Sequence, residues 1–130
     1  MIDKMLGFPD EVLAVSARGR VTAEDYRETL VPEALNRIER HGTVRLLYHL
    51  GPEFDGMTPG AMWADATLGL QHWADFSRVA VVTDVKWIAE AVRLFGPLFR
   101  NPVRVFPNDK LDDARLWILE QPAEAQGTRH

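Results

Sequence analysis

No cysteine occurs among the 130 residues. That excludes disulfides, thiolate nucleophiles and thiolate metal sites, and it suits a reducing, cytoplasmic setting. No stretch approaches the ~18 uninterrupted apolar residues of a membrane span. The opening residues, MIDKMLGFPD, lack the apolar run of a secretory leader. The four histidines, His41, His49, His72 and His130, show no metal-ligand spacing, so no metal is expected. His49 near Glu53 and Asp55 reads as a strand histidine satisfied by a neighbour. Phosphate-loop, dinucleotide-turn and Ser/His/Asp signatures are missing as well. The chain therefore reads as non-enzymatic, with no catalytic residue and no cofactor.

A strong charge of either sign is also missing. The net of −4 argues against general nucleic-acid binding. The distribution is uneven, however. Residues 1–76 carry a net of −5, residues 77–110 a net of +3, and residues 111–130 a net of −2. The basic third contains Arg78, Lys86, Arg93, Arg100, Arg104 and Lys110. Solvated helix faces commonly produce an excess of this size.

The length suits one domain, residues 1–120, followed by a polar tail at 121–130. Ile2–Leu6 and Glu11–Arg18 read as a hairpin, the second strand apolar on both faces. Thr22 with Asp25 resembles a capping box. Behind it Tyr26, Leu30, Ala34 and Ile38 recur every four residues, and His41-Gly42 ends the helix. Pro32 lies inside this pattern and predicts a kink, because it cannot donate to the Glu28 carbonyl. Val44–Leu50 is the next strand. Thr58-Pro59 opens a second helix, with Met62, Ala66, Gly69/Leu70 and Trp73 as its stripe. Arg78–Thr83 is a continuous apolar strand. Asp84 is placed to cap a third helix, Val85–Phe95, and Gly96-Pro97 ends it. Pro102–Phe106 is the last strand, and Asn108 or Asp109 opens a last helix, Leu111–Glu120. Strands alternating with helices predict an α/β fold: a mainly parallel mixed sheet of about five strands with helices on both faces.

Five segments, in this order, resemble the SpoIIAA-like branch of the STAS fold. They are GRVTAEDY at Gly19–Tyr26, Val31-Pro32, HGTVRLLYHL at His41–Leu50, VAVVTDVKWI at Val79–Ile88 and DDARLWI at Asp112–Ile118. The resemblance implies a shape related to the CRAL-TRIO lipid-binding domains and cytosolic or membrane-surface proteins without an established catalytic activity. Its signalling members are switched at a serine near the start of the helix after the third strand. Here the corresponding turn runs Gly51, Pro52, Glu53, Phe54, Asp55, Gly56, and the nearest hydroxyl is Thr58, which has a capping task.

Candidate sites follow from strand ends and from apolar turns. Ligands of open α/β sheets bind beyond the carboxyl ends of the strands. Gly51, Phe54, Asp55, Met57, Thr83, Asp84 and Lys86 belong there, with Trp63 and Trp87 as apolar lining from the adjoining helix starts. Phe95, Leu98 and Phe99 form an apolar turn flanked by Arg93 and Arg100, suited to an anionic membrane surface, a homodimer contact or the core. The leading expectation is a domain that binds a small apolar or amphipathic ligand, cytoplasmic with a peripheral membrane role. The alternative is an interaction module for a signalling protein.

Overall fold

The computed structural model describes residues 1–120, and the tail expected at 121–130 lies outside the described residues. The chain begins with β1 (Ile2–Lys4), β2 (Val12–Ala17) and β3 (Gly19–Val21). A helix follows in three parts: α1 (Ala23–Asp25), a π-helical turn (Tyr26–Leu30) and α2 (Val31–His41). Then come β4 (Val44–Leu50), β5 (Phe54–Met57), α3 (Pro59–Gln71), β6 (Phe76–Thr83) and α4 (Lys86–Phe95). The last elements are β7 (Val103–Phe106) and α5 (Leu111–Leu119).

The main sheet has the order β1-β2-β4-β6-β7. β1 pairs antiparallel with β2, and every other pairing in it is parallel. This is the predicted α/β fold, hairpin included. Its central strands are apolar on both faces because both faces are covered. Leu13, Val15, Leu46, Tyr48 and Val81 pack under the α1–α2 helix, α3 and α4. Val12, Ala14, Leu47, Ala80 and Val82 pack under α5 with Phe106 and Ile118.

Two short strands were not anticipated. β3 and β5 pair in parallel as a separate sheet, held at its ends by Gly19 N–H donating to the Glu53 carbonyl (2.7 Å) and Thr58 N–H donating to the Val21 carbonyl (2.9 Å). Three and four residues are too few to show an alternating pattern. The segment after Gly51 is thus tied down before the chain enters α3.

The helix termini obey their local chemistry. Thr22 Oγ1 accepts from Asp25 N–H at 3.3 Å, and Asp25 Oδ2 accepts from Thr22 N–H at 2.8 Å, a complete capping box. Just before Pro32, where a kink was expected, the helix takes a π-helical turn: Val31 N–H donates to the Tyr26 carbonyl, five residues back. Gly42 ends α2 at φ 84°, a left-handed conformation that glycine adopts without penalty. On the opposite face, Arg45 Nη1 donates to the Ile118 carbonyl (2.8 Å) and Arg78 Nη1 to the Trp117 carbonyl (2.7 Å). These guanidinium groups donate to carbonyls in the last turn of α5, where the Trp117 carbonyl also accepts from Glu120 N–H at 3.2 Å. Arg78 also lies over the Trp117 ring, 4.9 Å from its centroid.

Thr22→Ala removes one half of the capping box and lowers unfolding stability by about 1 kcal/mol. Urea denaturation with an unchanged slope is the measurement that checks it.

Candidate functional site

α3 decides which surface this protein offers. Its inward side is Ala61, Ala64 and Leu68, small enough for the helix to approach closely. A Cβ on Gly60 would meet the Ala23 Cβ at 3.2 Å, so the contact with α1 is tight. One polar bond sets the rotation. Tyr26, fully buried, donates its hydroxyl proton to Asp65 Oδ1 at 2.8 Å. Its oxygen is 3.0 Å from the Tyr48 hydroxyl. Because Tyr26 gives its single proton to Asp65, Tyr48 is the donor in that second bond. The π-helical turn, β4 and α3 are thereby joined by one chain of hydroxyls and a carboxylate.

Burial raises the pKa of both tyrosines, and the nearby Asp65 carboxylate adds to the rise, so both stay neutral. Desolvation also raises Asp65, while the bond from Tyr26 partly offsets it. Asp65 remains exposed as a residue, with Oδ1 directed inward, and solvent limits how far its carboxyl rises. None of these three residues stood out in the sequence as a site. Tyr26 read as a position of the first helix's apolar stripe, Tyr48 lay within the strand Val44–Leu50, and nothing singled out Asp65.

With Ala61, Ala64, Asp65 and Leu68 turned inward, the stripe expected to be core faces solvent. Trp63 is 76% exposed and Leu70 77%, with Met62 and Trp73 also exposed. Met62, Trp63 and Leu70, with Ala66 among them, occupy the outer half of the helix, and Trp73 follows just past its end. Of the stripe Met62, Ala66, Gly69/Leu70 and Trp73, the large side chains are exposed, while Gly69 is half-buried. Large apolar side chains would hold α3 off α1, whereas alanines do not.

The turn after α4 adjoins this surface. Gly96–Leu98 form a short 3-10 turn. Phe99 is half-buried and reaches α3, where a Cβ on Gly69 would lie 3.3 Å from Phe99 Cζ. Leu98 is 74% exposed, and Phe95 and Leu94 are exposed too, beside exposed Arg93 and Arg100. The turn is therefore divided, with Phe99 against the protein and Leu98 outward.

The strand-end candidates are placed differently. Leu50 and Thr83 are register partners, so Gly51 and Asp84 leave the sheet side by side. Gly51 is buried, and a Cβ there would sit 2.8 Å from His49 Nε2, so no larger residue fits unless that ring moves. Burial lowers the His49 pKa and favours its neutral form. Thr83 is buried and its hydroxyl accepts from Val85 N–H at 3.0 Å. Asp84 does not cap α4 as expected. Its Oδ1 accepts from Asn108 N–H at 2.9 Å, which holds the start of the α5 connection. Phe54 and Met57 are half-buried against the core, while Asp55 and Lys86 are exposed. Trp87 is 49% exposed on α4. Thr83 and Asp84 are thus engaged with main chain, Asp55 and Lys86 are exposed, and the large exposed apolar groups lie further out on α3 and the 3-10 turn. Among the described residues no group of His, Asp or Glu is arranged to hold a metal ion.

Tyr26→Phe removes both hydroxyl bonds and leaves Asp65 without its buried donor, lowering stability by about 2 kcal/mol. Asp65→Asn has a pH signature. Above the ordinary Asp value of 3.8 and below its raised native pKa, the folded state binds more protons at this carboxyl than the unfolded chain does. Its contribution to stability therefore falls as pH rises through that window. Asn does not titrate, so the variant gains on the parent as pH is raised from about 3 to 7, read as the difference in urea midpoints. A pH-independent difference would mean that Asp65 titrates alike in both states.

The comparisons agree with this architecture. The SpoIIAA-like family model matches residues 12–119. No curated protein matches the chain. A crystal structure of an uncharacterized protein of the DUF3478 family from Shewanella loihica PV-4, described as having a SpoIIAA-like fold, is similar at 26% identity with a TM-score of 0.73. The alignment covers 90% of this chain and 93% of that one. A family match over most of the chain, together with the mostly parallel sheet and its covering helices, establishes that this protein belongs to the SpoIIAA-like family, with the STAS fold.

Proposed function

We propose that this domain is a non-enzymatic binding module that takes an amphipathic lipid, at the surface of an anionic membrane, on the outer face of α3 and the adjoining 3-10 turn. The observation that carries the reading is the solvent-facing stripe Met62, Trp63, Leu70 and Trp73, extended by Leu98. Soluble proteins rarely leave so many large apolar side chains exposed on one face without a use for them. Tryptophans suit the boundary between headgroups and acyl chains, since the ring is apolar and its N–H is polar. Arg93 and Arg100 flank the turn and supply the attraction to negative headgroups, about 1 kcal/mol each near such a surface. Among the described residues no helix is long and apolar enough to cross a membrane, so contact would be peripheral.

The strand-end residues Gly51, Phe54, Asp55, Met57, Thr83, Asp84, Lys86 and Trp87 have a supporting part in this reading. Thr83 and Asp84 tie the sheet end to neighbouring main chain, and Phe54 and Met57 pack against the core. The alternative, an interaction module that uses the Gly51–Thr58 surface, has less room here, because β5 is paired with β3 and Thr58 Oγ1 caps α3 by accepting from Ala61 N–H.

Vesicles of phosphatidylglycerol and phosphatidylcholine sediment with the protein and shift its tryptophan emission to the blue, whereas pure phosphatidylcholine binds less. The double variant Trp63→Ser, Leu70→Ser keeps the fold, since both side chains are already exposed, and loses at least about tenfold in vesicle affinity through lost burial. A parent protein that ignores anionic vesicles, and from which native mass spectrometry and solvent extraction recover no fatty acid or phospholipid, would sink the reading.

A further inference from the structure

We infer that the open edge of β7 is a docking site for an extended, acidic segment of a partner protein, which would add as a further strand to the main sheet. β7 is the last strand of the sheet and pairs only with β6 among the described residues. The Pro102 carbonyl accepts from Val79 N–H at 3.0 Å. In a parallel ladder, alternate residues then turn their main-chain groups towards β6, leaving those of Val103 and Val105 directed away from the sheet. An edge with unpaired N–H and C=O groups is a ready template for another strand.

Two features distinguish this edge from one that is merely unblocked. The first is a groove on each side of it. Towards α4, a cavity of about 390 Å³ is lined by Val92, Arg93, Gly96, Pro97, Val103 and Val105, among others. Towards α5, one of about 470 Å³ is lined by Arg104, Phe106, Lys110, Asp113, Leu116 and Trp117, among others. An added strand sends successive side chains to opposite faces, so its alternate residues would enter the two grooves in turn. That combination of main-chain pairing and alternating pockets is how sheet edges read extended peptides.

The second feature is charge. Arg93 and Arg104 flank the edge on its two sides, with Arg100 and Lys110 at its ends, and none of the four forms an ion pair among the described residues. The Arg104 guanidinium lies over the Phe106 and Trp117 rings, 4.8 and 5.3 Å from their centroids. No carboxylate lines the groove on the α4 side, whereas Asp113 and Glu120 stand beside Arg104 and Lys110 on the α5 side, so the cationic field is strongest towards α4. The complement is an acidic strand with apolar side chains at alternate positions. The same cations argue against a second copy of this chain, because two β7 edges would bring like charges together. Pro102 and Pro107 bracket β7 and confine pairing to a short window, which suits a peptide segment rather than a long shared sheet.

The probe is a fluorescently labelled peptide of alternating Glu and Val, compared with its Lys-Val counterpart by anisotropy against the full chain. The acidic peptide binds, the basic one does not, and raising the salt concentration weakens binding. Val105→Pro removes an outward-facing N–H while sparing the groups directed at β6, and it abolishes binding with the fold retained. Arg93→Glu, at an exposed position, reduces affinity at least about tenfold by reversing the charge beside the groove. Amide exchange of Val103 and Val105 slows in the complex. No binding at about 1 mM peptide, or binding that survives Val105→Pro, overturns the proposal. So does a concentration-dependent dimer in analytical ultracentrifugation that Val105→Pro dissolves, since the edge would then belong to a second copy.

Discussion

The rotation of α3 about its own axis is the constraint on which the character of this protein depends. A helix apolar on nearly all sides has no preferred face by hydrophobicity alone, because either half can be buried at similar gain. Two things break the tie here. Ala61, Ala64 and Gly60 allow a backbone approach that Trp63 or Leu70 would block. Asp65 finds the Tyr26 hydroxyl, and that bond is available in one orientation only. Were α3 to turn by half a revolution, Asp65 would lose its donor, Tyr26 would be left buried with an unused proton, and bulky rings would wedge the helix off α1. The exposed tryptophans are thus the far side of a packing decision made at a tyrosine.

This explains which parts could be read in advance. The five-stranded sheet, the hairpin, the capping box at Thr22 and the stop at Gly42 are each written in local patterns: continuous apolar runs, a Thr three residues before an Asp, a glycine after a basic turn. The π-helical turn just before Pro32 was not legible, because it shows only in the backbone bonding of Val31 to Tyr26. β3 and β5 are too short to leave a period. The stripe Met62–Ala66–Leu70–Trp73 was legible as a stripe, but its direction depended on contacts with α1 and Tyr26 that lie some forty positions away in the chain. For the same reason Asp84, placed like a cap for α4, turns instead to Asn108.

The candidate site divides along similar lines. Residues at the carboxyl ends of β4 and β6 were recognisable from topology, and the sheet does bring Gly51 and Asp84 together. What topology could not supply was how far their polar atoms are already used. Thr83 satisfies Val85, and Gly51 is closed over by His49, so the chemistry moves outward to the helix and the turn.

The arginines beneath α5 bear on a different matter. Arg45 and Arg78 are register partners on adjacent central strands, and both reach the carbonyls that end the same helix. A strand that slipped by one residue would carry its arginine to the opposite face of the sheet. The helix end would then lose its donor, and a guanidinium would be pressed into the apolar layer under α2 and α4. Mispairing of β4 and β6 is thereby made costly on both faces at once. The two side chains couple the alignment of β4 and β6 to the seating of α5 over the sheet.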